Sequence, residues 1–170
     1  MGGTGESPTP VDGGSSAVGA RLCGAPSVVA TLDCPAIRDR CEQGTCIFEC
    51  VGPDTCVSLS IDCPEGLACR VVCNGDAACA KALVACPENH DCDLLCQAKQ
   101  ACKDAQLNCK NANCNVTCEG SESSCEQLRV ACASGQCAAK CSGSDGPTLE
   151  CASACECTPC QADEEEEEDD

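Results

Sequence analysis

CPEGLACRVVCNGDAAC, residues 63–79, is the stretch from which the fold is read. Cys69, Val71 and Cys73 alternate with Arg70 and Val72, the period of a β-strand and not of a helix. PEGLA on one side and NGDAA on the other carry the Pro, Gly, Asn and Asp that tight reversals require. The segment is therefore a short strand between two corners, with a cysteine at each junction.

Copies of this segment fill most of the chain. Repeats open at Cys41, Cys63, Cys86, Cys109 and Cys132, a period of 22 or 23 residues. Each continues through Cys46, Cys69, Cys92, Cys114 or Cys137, then through Cys50, Cys73, Cys96, Cys118 or Cys141. The first four add Cys56, Cys79, Cys102 and Cys125. A second alternating run precedes each opening cysteine: Leu59, Ile61, Cys63; Ala82, Val84, Cys86; Ala105, Leu107, Cys109; and Leu128, Val130, Cys132. Two strands and two corners per repeat describe one coil of a flattened, all-β, disulfide-rich β-solenoid, in which each strand pairs with its copy in the next coil. In the first strand Cys46, Phe48 and Cys50 are expected inward, and Ile47 and Glu49 outward.

Composition says how such an array is held. One Phe, no Trp and no Tyr leave little volume for an ordinary core, whereas 25 of 170 residues are Cys. That density marks a disulfide scaffold and an oxidising, extracytoplasmic setting. Cysteines flanking a corner point inward from facing strands and are expected to meet. The expected bridges are Cys23 with Cys34, Cys41 with Cys46, Cys50 with Cys56, Cys63 with Cys69, Cys73 with Cys79, Cys86 with Cys92, Cys96 with Cys102, Cys109 with Cys114, Cys118 with Cys125, Cys132 with Cys137, and Cys141 with Cys151. Each short loop closed in this way stabilises by roughly 2 kcal/mol.

The motif C-P-x-G-x-x-C-x-V-x-C-N-G-D-x-x-C, residues 63–79, resembles the cysteine-rich repeats of uncharacterised secreted or surface proteins of bacteria and algae. The resemblance runs from about Cys34 to Cys141 and brings no assigned activity. The layout is also similar to the disulfide-bridged antifreeze solenoids of insects, which carry a Thr-x-Thr face. Thr31, Thr45, Thr55 and Thr117 form no such ladder here, so ice binding is not expected.

Cys151, Cys155, Cys157 and Cys160 have the close spacing of a thiolate metal site. The simpler reading is a C-terminal cap in which Cys155 or Cys157 joins Cys160, leaving an odd thiol or a link to a second chain. No catalytic constellation stands out. His90 is the single histidine and falls in a corner, and Asn74-Gly75-Asp76 reads as a turn, since the other corners do not repeat its acids. Asn115-Val116-Thr117 fits a glycosylation acceptor, a weak three-residue signal. The chain is expected to be non-enzymatic, with no cofactor.

Residues 1–22 are rich in Gly, Ser, Thr and Pro and read as a flexible spacer, similar in composition to the tether of a bacterial lipoprotein. The opening Met-Gly lacks the Ser or Thr that myristoylation requires at the sixth position, where Glu6 stands. Residues 23–160 form the capped solenoid, and residues 161–170 an acidic tail whose last eight residues are all Asp or Glu. Such a tail suits weak contacts with calcium or a basic protein. The net charge of −18, with scattered Lys and Arg, argues against nucleic acid as a partner, and no apolar run is long enough to cross a bilayer. The composite expectation is a rigid extracytoplasmic spacer or interaction surface, secreted or at the cell surface. A thiol-based metal-binding or redox-buffering protein is the alternative.

Overall fold

The computed structural model describes residues 40–121, 123–143 and 145–160, apart from the side chain of Cys41. The expected spacer, the Cys23–Cys34 cap and the acidic tail lie outside these residues, as does the side chain needed for Cys41 with Cys46. The described residues contain no helix. In chain order the strands are β1 (Arg40–Glu42), β2 (Thr45–Val51), β3 (Ser60–Asp62), β4 (Ala68–Asn74), β5 (Leu83–Ala85), β6 (Cys92–Cys96), β7 (Gln106–Asn108), β8 (Cys114–Cys118), β9 (Arg129–Cys132), β10 (Gln136–Cys141), β11 (Thr148–Cys151) and β12 (Glu156–Thr158).

Alternate strands build two sheets, and together they form a β-solenoid. One sheet runs β1-β2-β4-β6-β8-β10-β12 and the other β11-β9-β7-β5-β3. Among the described residues only the β1–β2 hairpin is antiparallel; every other pairing is parallel and joins neighbouring coils. The register follows the repeat: Cys69 faces Cys92, Cys92 faces Cys114, and Cys114 faces Cys137. Parallel strands are covered on their inner face by the opposing sheet, which explains why small and β-branched apolar residues line it.

The core is a single layer. Val71, Leu94 and Val116 point in from the first sheet and Ile61, Val84, Leu107 and Val130 from the second, all buried, with Leu67 and Leu128 at the corners. Alanines 78, 82, 101, 105 and 112 and the cysteines fill what remains. No buried aromatic contributes.

The corner after each β2-type strand is more than a reversal. Its backbone also stacks coil on coil: Asp54 N–H donates to Asp76 O, Ala77 N–H to Lys99 O, Lys81 N–H to Lys103 O and Asp104 N–H to Glu126 O. The turn repeats a left-handed backbone at Ser58, Lys81, Asp104 and Gln127, with φ of 56, 59, 56 and 56°. Coils approach closely here. A Cβ placed on Gly75 would lie 2.2 Å from the Gly52 carbonyl oxygen, and one on Gly120, at φ +109°, would lie 2.7 Å from that of Gln97. Only glycine fits at such contacts.

The first coil keeps the alternation but not the burial of later coils. Ile47, expected outward, is in register with outward Arg70 yet only 3 % exposed, and Phe48, in register with inward Val71, is only partly buried. Leu59, expected inward, is 48 % exposed because it enters β3, the terminal strand of its sheet. Its counterparts one, two and three coils on, Ala82, Ala105 and Leu128, are all buried.

Candidate functional site: two sulfur columns

Ten disulfides join described cysteines, and they stack in two columns, one along each edge of the solenoid. The first column closes the corner from the second sheet to the first: Cys63–Cys69, Cys86–Cys92, Cys109–Cys114, Cys132–Cys137 and Cys151–Cys157. The other begins with Cys50–Cys56, Cys73–Cys79, Cys96–Cys102 and Cys118–Cys125 and ends with Cys141–Cys160. Inward-pointing Cβ atoms on facing strands hold the ten Cα pairs 5.6–6.3 Å apart, within the span of a disulfide.

The last coil corrects the expected pairing of Cys141 with Cys151. Cys151 is the register partner of Cys132, so it continues the second sheet and faces the first column. Its bridge therefore goes to Cys157, the register partner of Cys137. Cys141 stands at the opposite end of its strand and takes Cys160 instead. Cys155 is disulfide-bonded as well. The four clustered cysteines, Cys151, Cys155, Cys157 and Cys160, are thus committed to bridges in this structure rather than gathered as thiolates, and neither Cys155 nor Cys157 joins Cys160.

Sulfur does gather elsewhere. Three groups have all their Sγ atoms within 4.8 Å of one another: Cys63, Cys69 and Cys92; Cys86, Cys109 and Cys114; and Cys109, Cys132 and Cys137. Every group belongs to the first column, and each links one bridge to the next. Cys86 Sγ lies 3.7 Å from Cys114 Sγ, across the gap between two coils. Among the described residues the second column forms no such group. These contacts follow from in-register stacking of bridges that turn toward their neighbours.

The outer faces carry polar ladders. On the first sheet Arg70 Nη2 lies 2.9 Å from Asp93 Oδ2, and Asn115 Nδ2 donates to Asp93 Oδ1 at 3.0 Å. These side chains, with Leu95, Thr117 and Lys140, line an open hollow of about 470 Å³. Along a corner, the Glu65 carboxylate accepts from the Glu88 N–H at 2.8 Å and from Lys110 Nζ at 3.0 Å. The Glu88 hydrogen bond first, and Lys110 second, hold Glu65 below the usual glutamate pKa; His90 in the same corner adds a smaller pull. The Asp76 turn is occupied by coil-to-coil backbone bonding.

Comparison with family models, with curated proteins and with solved structures returns no match to this chain. The chain is described by its architecture: a cysteine-rich, disulfide-bridged parallel β-solenoid.

Proposed function

We propose that the protein is a non-enzymatic structural or interaction element that works in an oxidising, extracytoplasmic setting as a rigid spacer or display surface. The observation that carries this reading is the pairing of an uninterrupted parallel stack with a bridge at both edges of successive coils. From β2 to β12 the first sheet advances five strand spacings, about 24 Å. Each spacing is locked by backbone hydrogen bonds, and the corners are held covalently. Interior thiols of this density persist as disulfides only where the surroundings are oxidising. No helix among the described residues is long and apolar enough to cross a membrane. Residues 1–22, rich in Gly, Ser, Thr and Pro, are read as a tether.

The display surface is the outer face of the first sheet. Its residues differ from coil to coil, Arg70, Asp93, Asn115 and Ala138 in successive strands, so it suits an irregular protein partner better than a lattice or repeating polymer. The acidic tail, residues 163–170, supplies a second, weaker contact for calcium or a basic protein.

A second reading has one observation in its favour. The three sulfur groups would, once reduced, place thiolates at metal-ligand spacing, as a metal-binding or redox-buffering protein requires. One experiment separates the two. Thiols are trapped with a maleimide in the native host during lysis, the cells are fractionated, and the modified cysteines are counted. The spacer reading expects an extracytoplasmic protein with almost no modified cysteine. A protein recovered from the reducing interior with most cysteines modified overturns it in favour of the thiol store.

A further inference from the structure

The two columns are built from the same corner bridges, yet only one is continuous in sulfur. In the first column the three close groups connect in series: Cys92 lies with Cys63 and Cys69, its bridge partner Cys86 lies with Cys109 and Cys114, and Cys109 lies also with Cys132 and Cys137. They chain four bridges end to end. Cys151–Cys157 continues the line in register, and here Cys157 is exposed and Cys151 partly so, whereas Cys86, Cys92, Cys109 and Cys114 are fully buried. The column has a solvent-facing end and a buried run of bridges whose Sγ atoms come within 4.8 Å of the next.

Exchange between a thiolate and a disulfide requires the attacking sulfur to reach a bridge sulfur, and 3.7 Å from Cys114 to Cys86 is contact distance. We infer that the first column is a thiol–disulfide exchange relay, which accepts a thiolate from a dithiol at Cys151–Cys157 and delivers a thiolate at Cys63, four coils and about 19 Å away. The inference depends on the bridged column and stands apart from the spacer reading.

The steps balance. The dithiol's thiolate attacks Cys157 Sγ, a mixed disulfide forms, and Cys151 departs with the electron pair of the broken bond. Cys151 attacks its register neighbour Cys132 and releases Cys137. Cys137 attacks Cys109 and releases Cys114; Cys114 attacks Cys86 and releases Cys92. Cys92 then attacks Cys69 and releases Cys63, which takes up the proton that the dithiol lost. Every step inside the column makes one S–S bond and breaks one. The only net reduction comes when the dithiol's second thiol attacks its own mixed-disulfide sulfur, closes as a cyclic disulfide and frees Cys157. Burial holds thiols protonated and slows each step, so transfer is gated by the exposed end.

Two variants of the full chain test this. Cys157→Ser leaves a thiol on Cys151 at the end of the first column, and Cys160→Ser leaves one on Cys141 at the end of the second. Each is held anaerobically at mildly alkaline pH and alkylated, and the labelled and cross-linked peptides are mapped. The relay predicts label on Cys63 and a Cys86–Cys114 linked peptide in the first variant, and label confined to Cys141 in the second. Label confined to Cys151 in the first, or equal spreading in the second, overturns it. If circular dichroism shows that either variant has lost its strands, the wild-type protein is treated with less than one equivalent of dithiothreitol. A Cys86–Cys114 peptide is then expected, and its absence overturns the relay.

Discussion

Replacing both Cys96 and Cys102 with alanine removes one bridge from the middle of the stack and leaves its neighbours in place. The bridge spans a sequence separation of 6 and both cysteines are fully buried. The chain-entropy relation assigns a loop of that size about 2 kcal/mol at 25 °C. Loss of two buried sulfur atoms from a thin layer with nothing behind it adds roughly 1–2 kcal/mol of transfer and cavity cost. The expected loss is therefore about 3–4 kcal/mol, read from urea unfolding under non-reducing conditions as a fall in midpoint at unchanged slope. Because each coil touches only its neighbours, Cys73→Ala with Cys79→Ala, of equal separation and burial, should cost the same within about 0.5 kcal/mol. A loss below about 1 kcal/mol at both positions would refute the reasoning, since the backbone ladders alone would then hold the corners.

Gly75→Ala should cost about 3 kcal/mol in the same assay, because its Cβ would meet the Gly52 backbone and force two coils apart. Leu94→Ala, in the middle of the single core layer, should cost about 3 kcal/mol, while Leu83→Ala on the exposed face should stay within about 0.5 kcal/mol. Glu65→Gln tests a pH dependence: a carboxyl whose pKa is lowered by folding stabilises above the ordinary glutamate range and loses that contribution as pH falls through its folded value. The variant should be less stable than wild type at neutral pH by under about 1 kcal/mol, given the exposure of the site, and the two should converge in acid.

Much of this architecture is legible in the cysteines. Because Cys69, Val71 and Cys73 alternate and recur, both the strand and its inward face follow from residues 63–79, and corner geometry then brings Cys63 to Cys69 and Cys73 to Cys79. The last coil is shorter than the others, so spacing along the chain puts Cys151 beside Cys141, whereas register sets it beside Cys132. The left-handed turn position is held by Ser58, Lys81, Asp104 and Gln127 in successive coils; Ser and Asp favour turns but Lys and Gln do not, so no one residue type marks it along the repeat. The sulfur contacts between coils depend on how each bridge tilts, as the 3.7 Å approach of Cys86 to Cys114 shows, and spacing along a chain does not encode tilt.

That disulfides stand in for the core is tested most directly by far-ultraviolet circular dichroism before and after complete reduction and alkylation. With one thin apolar layer and no buried aromatic, the oxidised chain should keep its strand signal to high temperature, and the reduced, alkylated chain should lose most of it at 25 °C. A reduced chain with the full strand signal would contradict the account.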